Sequence, residues 1–229
     1  MRNLIRAEAL KLRTVRAPWL VLAAAPLLVV AGISGFVVSG SDLAGPGKQS
    51  QALAHVGLTS ILTIVFGILA VAGEYRHATI TDTYLTTPAR GRVVRAKLVV
   101  YTVVAALAGA LTSAVGLAVA AAWWSGKGVP FGWGNAAMWT TIGGGIAWNA
   151  AFAAIGVGLG ALVRSLVGAV ALALAWIALI EEILGQLIGG LARWLPFNAG
   201  QALGAGQAPM TPAHLLPRWG GAAVLVAYT

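Results

Sequence analysis

The chain has 229 residues, no cysteine, and charge on only 9% of its residues. The absence of cysteine excludes disulfides, thiolate metal sites and cysteine nucleophiles. Soluble domains usually carry about 25% charged residues, so this composition excludes an ordinary soluble domain. Acidic residues are scarcest of all, with six Asp and Glu against 15 Lys and Arg.

The positions of the acids argue against ion-coupled transport. Secondary transporters bury ionisable residues near the middle of their membrane spans. Here each acid falls in a loop or near the end of an apolar run, so an energy source outside the membrane fits better. The six acids are Glu8, Asp42, Glu74, Asp82, Glu181 and Glu182.

Patterns for metal binding and hydrolysis are also missing. His55, His77 and His214 lie in different loops or span ends, without the spacing of metal ligands. Serine and threonine occur without a recognisable His/Asp arrangement, so an intramembrane enzyme is unsupported. We assign the chain no catalytic residue, no metal site and no cofactor.

A phosphate-binding loop is excluded as well. Gly47-Lys48 resembles the end of such a loop, but Asp42 stands where its first glycine is required. Gln49 stands where Ser or Thr must bind Mg²⁺. The chain therefore has no nucleotide site of its own.

Long apolar runs dominate what is present. Hydrophobic residues make up 59% of the chain, and the net charge is +9. Basic residues in such a chain normally set membrane orientation, so the charge is weak support for a nucleic-acid partner, and we expect none. The composition predicts an all-α, polytopic membrane helix bundle forming a single transmembrane domain over residues 1–229.

About 20 apolar residues cross the hydrocarbon of a bilayer. A sixth run begins near Trp219 but has only about ten residues, so we expect six spans, with the sixth incomplete in this chain. The Gly/Pro-rich residues 189–218 are too broken for a span and predict an extracellular cap or partly re-entrant segment. The full spans are predicted at residues 18–39, 53–72, 98–123, 136–163 and 166–187.

The fourth span carries glycines at residues 143–145 and at positions 156, 158 and 160. Small residues at such spacing allow close helix packing. They are equally compatible with a bend in the helix, and both interpretations stay open.

Residues 1–17 predict an amphipathic helix along the cytoplasmic leaflet. Four of their arginines form one narrow stripe, with apolar residues on the other side. Glu8 falls within the apolar arc. A solvated i,i+3 pair between Glu8 and Lys11 is the favoured interpretation, and pairing with another helix is the alternative.

The basic residues predict the orientation. Eleven of the 15 fall in the N-terminal helix and on the same side of the predicted membrane, including the loop of residues 74–97. This places the N-terminus and that loop in the cytoplasm. The four basic residues on the outer side are Lys48, Lys127, Arg193 and Arg218.

The loop of residues 74–97 is the longest polar interval of the chain. Thr79 followed by Asp82 fits a helix N-cap with an acid three residues on, so we expect the Thr79 hydroxyl to cap the helix. Pro88 disfavours helical geometry at Thr87. The pattern predicts a two-turn helix over residues 80–86, with a solvated connector as the alternative.

Residues 74–80, EYRHATI, are followed by Leu85 and by Thr87-Pro88-x-Arg90. This pattern resembles the first cytoplasmic loop of ABC transporter permeases of the type-2 exporter class. Family members often have glycine where this chain has Ala78, a mild departure because alanine is also small.

Two flanking signatures extend the resemblance. Residues 7–12, with Ala7-Glu8-x-x-Lys11-Leu12, are similar to the N-terminal elbow helix of these permeases. Residues 195–199, LPFNA, match a Leu-Pro-x-x-Ala stretch that follows a span-end acid in the family.

The resemblance implies a coupling helix that rests on the ATPase subunit. Glu74 and Arg76 are expected to be direct charged contacts, and removal of Glu74 should leave the membrane core untouched. The implied ATPase interface consists of Glu74, Tyr75, Arg76, His77, Thr79, Ile80, Asp82 and Thr83.

Glu181 and Glu182 are candidate outer-leaflet acids with either a structural or a substrate role. Adjacent helix residues point about 100° apart, so both cannot face one site. We favour a structural role, such as capping or orienting the outer helices.

The sequence therefore predicts the permease subunit of an ABC exporter in the bacterial plasma membrane, moving a hydrophobic or amphipathic substrate. The resemblance implies that ATP and Mg²⁺ bind a separate cytoplasmic ABC ATPase. A second copy or a related permease would complete the pathway, with membrane lipid around it. The alternative is a non-transporting membrane scaffold or sensor of the same fold.

Overall fold

The computed structural model describes residues 1–40, 42–204 and 215–229. Within these ranges the chain is helical without a strand, which confirms the predicted all-α membrane bundle. Five apolar helical stretches there are long enough to cross a membrane. They are Ala17–Val38, Lys48–Arg76, Arg90–Gly126, Ala136–Val163 and Leu166–Leu187.

The N-terminal helix α1 (Arg2–Thr14) turns directly into the first span, α2 (Ala17–Val38). The buried residues of α1 are Glu8 and Leu12. The indole N–H of Trp19 donates to the Leu12 carbonyl oxygen at 2.7 Å, which holds the two helices together at their junction.

The second span is broken where the sequence predicted one helix over residues 53–72. It consists of α3 (Lys48–Leu53), α4 (His55–Leu58) and α5 (Ser60–Arg76). Asn149, buried in the fourth span, donates to the Val56 carbonyl oxygen at 3.0 Å and accepts from the Thr59 hydroxyl at 3.0 Å. An amide side chain thus satisfies polar groups at the break, as a buried irregular segment requires.

The fourth span, α8 (Ala136–Val163), is one uninterrupted helix packed closely on α5. A Cβ at Gly156 would overlap the Ile64 carbonyl, and one at Gly67 would overlap the Ala153 carbonyl. These glycines therefore serve close packing. The alternative of a bend at the glycines stays a prediction.

The third span begins before its predicted start at residue 98. A short helix, α6 (Ile80–Thr86), precedes α7 (Arg90–Gly126). With its 37 residues, α7 is about 55 Å long, well beyond the roughly 30 Å hydrocarbon core. The N-terminal turns of α7 thus extend beside α1 and α6.

The fifth span combines α9 (Leu166–Ala175), a π-helix (Trp176–Ile180) and α10 (Glu181–Leu187). The short helices α11 (Gly189–Ala192), α12 (Pro196–Gly204) and α13 (Arg218–Tyr228) follow. Within the predicted cap or re-entrant segment, α12 packs against α8, with Gly200 against the Trp148 indole. Residues 205–214, which include Pro209, Pro212 and His214, lie outside the described residues.

Candidate functional site

Four charged side chains form a buried cluster where α1, α5 and α7 meet. Lys97 Nζ lies 2.7 Å from Glu8 Oε2 and 2.6 Å from Glu74 Oε1. Lys11 Nζ lies 3.2 Å from Glu8 Oε1 and 2.9 Å from Glu74 Oε1. Each carboxylate therefore bridges both lysines, and the cluster as a whole is neutral.

The charges of the cluster differ in burial, and Lys97 and Glu8 are almost fully buried. The Lys97 side chain is only 1% exposed, and that of Glu8 is 5% exposed. An isolated ion at such a site would be strongly disfavoured, whereas opposite charges with good geometry stabilise one another. The expected Glu8–Lys11 pair forms, but the expectation that it is solvated is wrong because Glu8 is buried. The alternative, pairing with another helix, is confirmed by the contact of Glu8 with Lys97 on α7.

Lys11 is the more accessible lysine. Burial by itself lowers the pKa of Lys11, but its hydrogen bond to Glu74 and the charges of Glu8 and Glu74 outweigh that effect. The net result is a pKa above the ordinary lysine value, so Lys11 is charged at neutral pH.

Thr83 connects α6 to the cluster. Its hydroxyl accepts from Lys11 Nζ at 3.2 Å and lies 3.3 Å from Glu74 Oε2. The cluster thus receives groups from the N-terminal helix, the end of the second span, the short α6 and the start of the third span. A displacement of α6 would reach all of these elements through one set of contacts.

The turn between α5 and α6 is a Schellman motif. The Thr79 N–H donates to the Glu74 carbonyl at 3.0 Å, and the Ala78 N–H donates to the Tyr75 carbonyl at 3.3 Å. Ala78 takes the left-handed position of this motif, with φ +57°. Glycine is favoured there because it adopts positive φ without a Cβ penalty, which explains the glycine of the family better than size alone.

Helix α6 has the predicted bounds, Ile80–Thr86, but the predicted cap at Thr79 is wrong. Thr79 has helical backbone angles, and its side chain makes no capping hydrogen bond. Its carbonyl instead accepts the Thr83 N–H at 3.3 Å. Asp82 lies in the first turn, as expected, and is exposed.

Two faces of α6 differ in burial. Ile80 is 8% exposed and anchors the helix on the bundle, whereas Leu85 is 75% exposed. These side chains lie about 140° apart around the helix. The guanidinium of Arg90 stands 5.0 Å from the Tyr84 ring centre and steadies the end of α6.

The predicted interface residues therefore divide into those that pack inside the protein and those that are exposed. Glu74 and Thr83 face the cluster, so removal of Glu74 would disturb a buried network, contrary to the expectation of an isolated surface contact. Tyr75 is half-buried and packs against the core. The exposed members of the set are Arg76, His77, Thr79 and Asp82.

Glu8, Lys11 and Lys97 were missed as site residues. The sequence feature that could have indicated the cluster is the position of Glu8. An acid within the apolar arc of α1 indicates a buried partner. Lys97 was assigned to the cytoplasmic surface, but it is buried on α7.

The two candidate outer acids have different surroundings. Glu181 is buried and accepts hydrogen bonds from the backbone N–H groups of Phe197 and Asn198 at 3.0–3.2 Å. It also accepts from the Trp176 indole at 3.2 Å. Glu182 is exposed and binds Gln186 at 3.0 Å. Glu181 thus satisfies the first turn of α12, where donors have no helical partner.

Comparison with known proteins gives the family. A sequence profile described as ABC-2 family transporter protein matches residues 4–181. No curated protein matches the chain. No solved structure matches it either. The matched region spans more than half of the chain and contains most of α1, all four cluster residues, α6 and the first four spans. The chain therefore belongs to the ABC-2 transporter family, as a membrane-spanning permease component of an ABC transporter.

Proposed function

We propose that this permease couples ATP hydrolysis on a separate cytoplasmic ATPase to export of a hydrophobic or amphipathic substrate. Helix α6 would dock on the ATPase, and the buried cluster would pass its movement to the spans. The observation that carries the proposal is the attachment of α6, through Thr83, to charges from α1, α5 and α7.

The exposed face of α6 supports the docking role. Leu85 is 75% exposed on a helix that lies outside the five stretches able to cross the membrane. A large apolar side chain in that position gains from burial in a pocket of another protein. The exposed polar residues Asp82 and Thr86 beside it would form the rim of the contact.

The neutral cluster supports the transmission role. Its short ionic contacts resist separation because any single displaced group leaves an uncompensated buried charge. A movement of α6 would be passed to this ionic unit through the Thr83 hydroxyl, which contacts Lys11 and Glu74. Side-chain packing alone would tolerate sliding more readily.

An apolar cavity of about 280 Å³ supports the proposed substrate class. Its lining includes Phe152, Leu159, Trp176 and Ile177, from the fourth and fifth spans. We further propose a bacterial plasma membrane location, a cytoplasmic N-terminus, and a pathway completed by a second copy or a related permease. A Cys introduced at Thr81 should resist impermeant thiol reagents in intact cells, and labelling there would overturn this orientation.

The docking role is tested with Leu85→Ser. The permease should insert and unfold at the parent temperature. Recovery of its cognate ATPase in co-purification should fall by about tenfold or more, because full burial of a leucine side chain contributes about 1.5–3 kcal/mol. Leu191→Ser is the matched control, because Leu191 is also exposed but lies beyond the far end of the fifth span.

Equal ATPase recovery with Leu85→Ser and with Leu191→Ser would contradict docking through α6. Transport assays on the same preparations separate export from the alternative function. Full ATPase binding and ATP turnover without movement of any apolar substrate would favour a scaffold or sensor.

A further inference from the structure

Two arginines stand at neighbouring helix ends on the same side of the bundle as α6. Arg76 is the last residue of α5, and Arg164 joins α8 to α9. Both line one crevice of about 320 Å³. Its other lining residues are Tyr75, Ser165, Leu166 and Val167.

Neither arginine has a carboxylate partner among the described residues. The ion pairs found in that part of the chain join only Lys11 and Lys97 to Glu8 and Glu74. Glu74 is the nearest acid along the chain to Arg76, but both lysines already neutralise it. The crevice therefore presents two uncompensated positive charges to an anion.

Arg164 also occupies a backbone position that suits a different residue. Its φ is +55°, a left-handed value that glycine adopts more readily than arginine. The backbone does not account for arginine here. A binding role of the guanidinium group would account for arginine at this position.

We expect the crevice to lie at the phosphate layer of a bilayer. Both arginines mark the points where apolar, span-length helices end. Val167, the second residue of the fifth span, is 71% exposed and lines the crevice.

A second crevice, of about 590 Å³, continues from the first and shares Arg76 and Leu166 with it. Its walls include the apolar residues Pro18, Leu69 and Ala70, together with Lys11 and Glu74 of the neutral cluster. Cations at one end and apolar walls along the other are complementary to a phosphate group attached to a hydrocarbon chain.

We propose that Arg76 and Arg164 bind the phosphate of an anionic phospholipid of the cytoplasmic leaflet. One guanidinium group can donate two parallel N–H hydrogen bonds to phosphate oxygens. Two arginines beside one crevice can therefore make a specific headgroup contact. One acyl chain lies along Leu166 and the apolar wall of the larger crevice. The site does not depend on the ATPase or on the docking role of α6.

The test measures lipid retention by the purified permease without ATPase. Native mass spectrometry from micelles with equal phosphatidylglycerol and phosphatidylcholine should show preferential retention of phosphatidylglycerol. Arg76→Gln and Arg164→Gln should each reduce the preference about fivefold, the factor expected for one basic side chain at an anionic leaflet. Arg193→Gln, at the far end of the fifth span, should leave it unchanged.

Arg164→Gly separates loss of lipid binding from loss of folding. Glycine suits φ +55°, so this variant should be at least as stable as the parent and still lose the lipid preference. An unchanged preference in the Arg76→Gln/Arg164→Gln protein would overturn the proposal. Displacement of phosphatidylglycerol by millimolar inorganic phosphate would also overturn it, by showing a free-phosphate site. Weaker ATPase binding with intact lipid preference would instead assign the arginines to a protein interface.

Discussion

The molecule buries carboxylates in two different ways at its two ends. Glu8 and Glu74 are neutralised by lysine side chains from other helices. Among the described residues Glu181 has no such cation and is held by two backbone N–H groups and an indole N–H. Leu166 adjoins the crevice that Glu74 lines, and Glu181 lies 15 residues further along the same span, about 22 Å away.

The difference teaches what each end can do. Backbone donors of α12 are fixed in the helix, so Glu181 locks one local arrangement of α10 and α12. Lysine side chains are long and flexible. Those of the cluster contact groups from four elements, α1, α5, α6 and α7, within one neutral set of charges. The first arrangement suits a rigid support, and the second suits the transmission of movement.

The largest expected effect comes from breaking the charge balance. Lys97→Gln leaves Glu8 and Glu74 with only Lys11, which should destabilise the permease by about 3–5 kcal/mol. Unfolding in detergent measures this effect. Lys127→Gln is the control, because Lys127 is exposed in the loop between the third and fourth spans.

The second variant Glu8→Gln/Lys97→Gln restores neutrality and should recover part of the lost stability. This non-additivity separates an ionic cluster from ordinary packing. A double variant that is destabilised by the sum of its two single changes would contradict the ionic account.

Glu181→Ala should have a smaller effect, about 2 kcal/mol, because it leaves neutral donors unsatisfied and strands no charge. Removal of a lysine in addition should not restore the stability of the Glu181→Ala protein. In the cluster, by contrast, a second substitution that restores neutrality should recover stability. Glu182→Ala is the matched control and should stay within about 0.5 kcal/mol of the parent in the same unfolding assay. Equal behaviour of the two variants would show that the cap on α12 contributes nothing.

The smallest predicted stability effect is a gain. Ala78→Gly should stabilise the turn between α5 and α6 by up to about 1 kcal/mol, because φ +57° suits glycine. Ala89 has an ordinary φ of −77°, so Ala89→Gly should not stabilise the protein. Thermal unfolding of the two variants compares these positions, and destabilisation by Ala78→Gly would mean that the turn is unstrained.

Local patterns in the sequence were sufficient for the number of spans and for the bounds of α6, while breaks within spans and the site depend on distant contacts. The bounds of α6 were predictable because Pro88 acts on its neighbour directly. The Thr79 cap was not, because the Schellman turn places Thr79 in helical geometry. The break in the second span depends on Asn149, 90 residues after Thr59.

The charge cluster shows the same limit. Glu8 and Lys97 are 89 residues apart, and no spacing rule joins them. An acid in the apolar arc of α1 indicated a buried partner but did not identify it. The contact of Glu181 with α12 likewise depends on how two segments 16 residues apart fold against each other.

The most direct test of the central claim is to cut the link between α6 and the cluster without removing a charge. Thr83→Val keeps the shape of the side chain and removes the hydroxyl that contacts Lys11 and Glu74. Thr86→Val is the matched control, because the Thr86 hydroxyl binds only carbonyls of α6 itself. The measurement is substrate moved per ATP hydrolysed, in vesicles that contain the permease and its ATPase. We predict that Thr83→Val binds the ATPase normally but moves several-fold less substrate per ATP, while Thr86→Val matches the parent. Parent-like coupling in the Thr83→Val protein would contradict transmission through the cluster.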